Sequence, residues 1–257
     1  MTMRLSTAMR DFLNKNGSIG DALRNGHIEI YTGAQPTSAD AAATGTLLCT
    51  ITSSSGALTP EVLSSGSVTL TGGASGSVNT LTVNSVEIMG VAVPFNTSLT
   101  QTAADVAAQI NRYKSTPDYT ATSSGAVITI KALPGTGTVP NGFTVASTTT
   151  TLTKTDANMS GGVAAVNGLA FDNSVSGVMA KLSTQTWSGV NAATGTAGWF
   201  RQYGSVADAN ALDTTATYLR IDGAISTSGA EMNLNSTAFT SGATTTLSSW
   251  SMTVPAA

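Results

Sequence analysis

The chain carries one histidine, His27, and one cysteine, Cys49, in 257 residues. A hydrolytic triad would need His27 as its base, and no serine stands in the G-x-S-x-G elbow that presents a nucleophile. One Cys and one His cannot complete a tetrahedral zinc site. The 14 acidic residues are scattered from Asp11 to Glu231. The nearest approach to a calcium loop, KTDANMSGG, lacks the alternating oxygen ligands. PGTGTVPNG is glycine-rich but has no lysine and opens no helix, so it reads as a turn rather than a phosphate loop. A carboxylate pair brought together only by the fold is the one catalytic arrangement left open. The expectation is no enzyme, with no catalytic residue, no metal ligand and no cofactor. His27 is expected as a surface or hydrogen-bonded side chain. Cys49, inside LLCTI, is expected as a small buried hydrophobe.

One stretch does concentrate capable side chains. GWFRQYG, Gly198 to Gly204, holds Trp199, Phe200, Arg201 and Tyr203 in a chain that is 5% aromatic and 10% charged. Period two puts Trp199, Arg201 and Tyr203 on one face and Phe200 and Gln202 on the other. Burying Trp199 alone removes roughly 200 Å² from water, on the order of 5 kcal/mol. The stretch is therefore read as a core strand, with the Arg201 stem beside the rings and its head at the rim. Trp199, Phe200 and Trp250 are the expected core anchors, with Met252 and Val254 sharing the face of Trp250. The competing reading is an exposed aromatic-cationic contact for a glycan or a partner protein.

Around these residues the elements are short. Ser6 to Lys15 predicts a helix, with Ser6 as its N-cap and Asn16-Gly17 as its stop. A second turn follows from Ile19 to Leu23. HIEIY alternates, with Ile28 and Ile30 on one side, as a half-buried strand does; GAQPTSADAAATG is a loop and TLLCTIT the next strand. From Gly66 short strands alternate with Gly-rich turns. SLTQTAADVAAQINRYK predicts a helix near 102–112, with Thr102 and Asp105 as a capping box, Val106 and Ile110 as its apolar stripe, and Pro117 as its end. DYTATSSGAVITIKAL predicts a hairpin turning at Ser123-Ser124-Gly125, and FTVAS a further strand. SVSGVMAKL reads as either a helical turn or a strand. The later run of strands with turns between them predicts an antiparallel sandwich or barrel. The fold class is thus mainly β: a discontinuous outer domain of residues 1–65 and 165–257, with a short N-terminal helix, interrupted by a small α+β domain of residues 66–164.

Composition narrows the function. The charged fraction is far below the usual ~25%, net charge is -3, and no basic cluster exists to neutralise phosphates, so no nucleic acid is expected. No apolar run approaches a membrane span, and no signal-peptide pattern follows Arg4 and Arg10, so no membrane is expected and synthesis and assembly are placed in the cytoplasm. On that reading the Asn96, Asn158 and Asn235 glycosylation triplets are coincidental. So sparsely charged a surface suits a protein packed against neighbours.

Two parts of the chain resemble known phage proteins. ALRNGHIEIYTGAQPTSADAAATGTLLCTIT, GTAGWFRQYGS and LRIDGAISTSGAEMNLNST resemble a family of small virion structural proteins of tailed bacteriophages. The middle segment, with TLTVNSVEIMG, TAADVAAQIN and YTATSSGAVITIKA, resembles a mobile α+β module inserted in several phage proteins. The resemblance implies a non-enzymatic structural role in the virion, as a capsid decoration or cement protein on the head. A tail-, neck- or fibre-associated protein with a host-surface role is the alternative. Its implied partners are the major capsid protein or other virion proteins, in a homo-oligomer or multicopy lattice. Leu5, Met9, Phe12 and Leu13 then form a candidate docking helix, or else cap the domain's own core. Tyr113, Tyr119 and Phe143 are the aromatics a host-binding tip would expose.

Overall fold

A computed structural model describes residues 3–253. The chain is mainly β and divides into two compact units, an outer one of residues 1–61 and 165–257 and an inner one of residues 62–164. The inner unit begins at Val62 rather than at Gly66.

The outer unit opens with β1 (Arg4–Leu5), α1 (Thr7–Lys15), α2 (Ile19–Leu23), β2 (His27–Thr32) and β3 (Leu47–Ser53). The inner unit holds β4 (Ser65–Gly72), β5 (Ser77–Val83), β6 (Val86–Glu87), β7 (Val93–Pro94), α3 (Leu99–Arg112), β8 (Tyr119–Ser124), β9 (Val127–Ala132), β10 (Val145–Thr150) and β11 (Thr153–Ser160). The outer unit resumes with β12 (Val178–Ala180), β13 (Trp187–Val190), β14 (Gly195–Tyr203), β15 (Arg220–Ser226), β16 (Met232–Asn233), β17 (Ala238–Phe239), β18 (Thr244–Leu247) and β19 (Ser251–Thr253).

In the outer unit the main sheet runs β1-β15-β14-β2-β3-β13-β18, with β16 and β17 added to β15 and β14. Its pairings are antiparallel except for β15 with β16. One face is apolar. Ile28, Gln202, Ile221 and Leu5 form one cross-strand row, and Ile30, Phe200 and Gly223 the next. A Cβ at Gly223 would lie 2.5 Å from the Phe200 ring, so glycine there is what lets that ring lie flat across β15. Cys49, Ile51, Leu169 and Trp187 extend the same core. Trp250 is half-buried at its margin, beside Phe171 and Trp187, rather than fully enclosed. Val254 lies outside the described residues.

α1 starts where expected, with the Ser6 hydroxyl accepting the Met9 N–H. SVSGVMAKL resolves as β12. HIEIY differs from the half-buried expectation: Glu29 and Tyr31 are buried as well as Ile28 and Ile30, because loops cover the second face of the sheet.

The inner unit encloses one core between its two four-stranded sheets, β10-β5-β6 with β7 and β11-β4-β9-β8, and α3. α3 starts a turn before the expected box. Ser98 accepts the Gln101 N–H, while Thr102 donates to the Ser98 carbonyl and Asp105 accepts from Asn96 and Gln101. A Ser hydroxyl placed directly before the helix reaches the orphan amides better than a threonine already inside it. The helix ends at Arg112, before Pro117 is reached. The hairpin turns at Gly125-Ala126, since Gly125 supplies the positive φ (56°) that a two-residue turn needs. KTDANMSGG lies largely on strand β11 and is no loop.

Candidate functional site

The densest gathering of titratable and aromatic side chains lies on the second face of the outer sheet, and it arises from strand parity. His27, Glu29 and Tyr31 alternate with the isoleucines of β2. Trp199, Arg201 and Tyr203 alternate with Phe200 and Gln202 on β14, and Arg220, Asp222 and Ala224 with Ile221 and Gly223 on β15. Antiparallel register then sets these residues in rows: His27–Tyr203–Arg220, Glu29–Arg201–Asp222–Arg4, and Tyr31–Trp199–Ala224. In the central row the sign of charge alternates across four adjacent strands, β2, β14, β15 and β1.

The charges are paired and mostly dry. Arg201 Nε and Nη2 donate to the two Asp222 oxygens at 2.7 and 2.8 Å, and both side chains are fully buried. Arg220 makes the same fork with Asp208, at 2.6 Å on each arm. Such bidentate pairs are the strong class of charged hydrogen bond. Arg201 was expected to hold its head at the rim. Instead the loops close over it, and its guanidinium lies 5.4 Å from the Trp199 ring centroid.

Glu29 anchors the other side. Its carboxylate accepts from the hydroxyls of Tyr31 and Tyr203 and from the Asn210 amide, with His27 Nε2 3.7 Å away. Burial works to raise its pKa. The nearby His27 and the hydrogen bonds from Tyr31 and Tyr203 outweigh that and bring it to about 2. Burial and the adjacent Glu29 charge push both tyrosine hydroxyls well above the usual phenol range. Burial alone would lower the pKa of Arg201, and the Asp222 carboxylate more than reverses it. For Asp222 burial is the larger influence and pushes its carboxyl up. His27 is not a surface residue: its ring stacks on Tyr203 at 4.5 Å. Tyr31 stacks likewise on Trp199 at 4.7 Å.

The cluster grips backbone. Arg201 Nη1 donates to the Ala41 carbonyl, Trp199 Nε1 to Thr44, and Arg4 to Pro36, which pins residues 33–46 to the sheet. Residues 205–218 are held through side chains instead, Asp208 accepting from Arg220 and Asn210 donating to Glu29. Asp40 accepts the Thr7 N–H and hydroxyl, and Ser6 donates to Tyr218, so the start of α1 is tied in. The arrangement can orient and clamp. Its carboxylates face buried partners, not a cleft.

Of the candidate docking residues, Met9 and Phe12 are buried in the chain's own fold and Leu5 and Leu13 are half-buried. The geometry therefore uses the larger apolar groups of α1 as a cap. Trp199 and Phe200 are buried on opposite faces of β14. Tyr119 lies in the inner core and Phe143 packs against it, so neither stands at an exposed tip. The Tyr113 ring lies against Gly90, where a Cβ would come within 2.4 Å of it. Cys49 is buried, and desolvation raises its thiol to about 12, beyond nucleophilic use. Among the described residues no group of three or more His, Cys, Asp or Glu is placed to hold a metal ion. Among the described residues no helix is long and apolar enough to cross a membrane.

The ion ladder escaped the sequence reading because its members are distant along the chain. The available signal was parity: each of three strands carries a charged residue on the face opposite its core-facing side chains, Ile28 and Ile30 on β2, Phe200 on β14 and Ile221 on β15. No family model, curated protein or solved structure matches the chain.

Proposed function

We propose that this chain is a non-enzymatic structural protein of a tailed-bacteriophage particle, a capsid decoration protein bound to the head surface in many copies. The support is one coincidence of place. The segments whose sequence resembles phage virion proteins, residues 22–52, 195–205 and 219–237, supply Glu29, Tyr31, Arg201, Tyr203, Arg220 and Asp222 to the buried cluster. Their polar groups are engaged with one another and with loop backbone. The motif then serves as scaffold and leaves the low-charge exterior for packing against other chains. Affinity in such a lattice comes from modest contacts repeated many times.

Quantifying this chain against the major capsid protein in purified particles tests the reading. A decoration protein is present in hundreds of copies. A dozen copies or fewer would place it on the tail, neck or fibres, and its absence from particles would end the proposal.

A further inference from the structure

We propose that the inner unit binds a neutral saccharide in a groove beside α3. The groove is open to solvent and offers about 440 Å³ between residues 91–96 and the outer edge of the helix. Asp105, Gln109 and Arg112 line it from α3 at i, i+4 and i+7, one face of the helix. Across from them stand Pro94, Phe95 and Asn96.

The chemistry is that of a hydroxyl-rich ligand with an apolar side. One carboxylate and one guanidinium face the groove, so their charges balance and neither an anion nor a cation is favoured. The polar side chains are all planar, and together they offer both donors and acceptors. A sugar hydroxyl is itself donor and acceptor, and adjacent hydroxyls match the two-pronged edge of a carboxylate, amide or guanidinium. Phe95 packs partly against the inner core and Pro94 is exposed. They supply an apolar wall for the C–H face of a pyranose. Placed polar groups opposite an apolar wall fix the orientation of a small ligand.

The polar groups are also held in place before any ligand arrives. Asp105 is fixed by Asn96 at 2.7 Å and Gln101 at 2.9 Å, and these bonds keep its carboxyl below the ordinary range, so it stays an acceptor. Gln109 is tied to the Met89 carbonyl at 2.8 Å and accepts from Arg112 at 3.0 Å. Groups fixed in advance lose little freedom on binding. This site does not depend on where in the particle the chain resides.

Saturation-transfer NMR on the full chain, with the methyl glycosides of glucose, galactose, mannose and N-acetylglucosamine at roughly 10 mM each, reads binding in the weak range expected of a shallow groove. At least one should receive saturation on its ring C–H protons. Arg112→Ala, an exposed change that leaves the fold intact by circular dichroism, should weaken that ligand about tenfold, equivalent to about 1.4 kcal/mol. Asp105→Ala should do the same if α3 survives it. No transfer to any of the four overturns the proposal, as does binding that Arg112→Ala leaves unchanged. Stronger binding of methyl glucuronate than of methyl glucoside would overturn the neutral class.

Discussion

Arg201 and Asp222 face each other across β14 and β15 with neither side chain reaching water. A buried ion pair contributes little net stability over a well-packed apolar pair, but removing one partner strands the other charge. Arg201→Ala should therefore cost about 3–5 kcal/mol. Arg201→Met combined with Asp222→Leu removes both charges and should cost less than the single change. Urea denaturation of the two variants decides it; a double variant less stable than Arg201→Ala would mean that the pair itself stabilises the fold. The residues of this cluster were each visible in the sequence, and the faces of Trp199, Arg201 and Tyr203 followed from alternation alone. Their partners did not. Which strand lies beside β14, and what loop closes above it, depends on pairings spanning most of the chain, and period two carries no information about either.

At the level of elements, local rules located what local physics controls. Ser6 before an apolar-periodic stretch started α1, and β2 and β14 followed their alternation. The errors came where several polar residues compete, as at the start of α3, where Ser98 outcompeted Thr102 for the cap. β8 shows a contact that no periodicity announces. It is an edge strand of its sheet, and Asn111 at the end of α3 both donates to the Ala121 carbonyl and accepts the Ala121 N–H, each at 2.8 Å. The side chain stands in for a neighbouring strand and blocks an edge that would otherwise invite pairing with another chain. Asn111→Ala should destabilise the inner unit by about 1–2 kcal/mol and speed amide exchange at Ala121. Unchanged exchange there would show that the edge is protected by something else.

For the whole molecule, the two units meet the chain at paired rungs of their own. Thr59 and Val166 exchange both backbone hydrogen bonds within the outer unit, at 3.1 and 2.9 Å; Val62 and Val163 do so within the inner unit, at 3.1 and 2.9 Å. Each unit has a separate apolar core. Replacing residues 62–164 by a short Gly/Ser turn should therefore leave the outer unit folded, with a cooperative thermal transition and retained near-ultraviolet signal from Trp187 and Trp199. An outer polypeptide that stays unfolded would show that the interruption is structural. The Gly/Ser-rich joins hinted at this organisation; the exact rungs did not, because they need both ends of the interruption to be known at once.

The alternating signs of Glu29, Arg201, Asp222 and Arg4 bear on how such a chain is made. β2 is synthesised long before β14 and β15, with the entire inner unit between them. A β14 displaced by a single position would turn Arg201 toward Ile28 and Ile30 and put Phe200 opposite Glu29. The early strand thus carries an alignment mark that the late strands must match in charge. Mismatched docking would leave Arg201 without its carboxylate partners beneath residues 33–46 and 205–218, a buried unpaired charge.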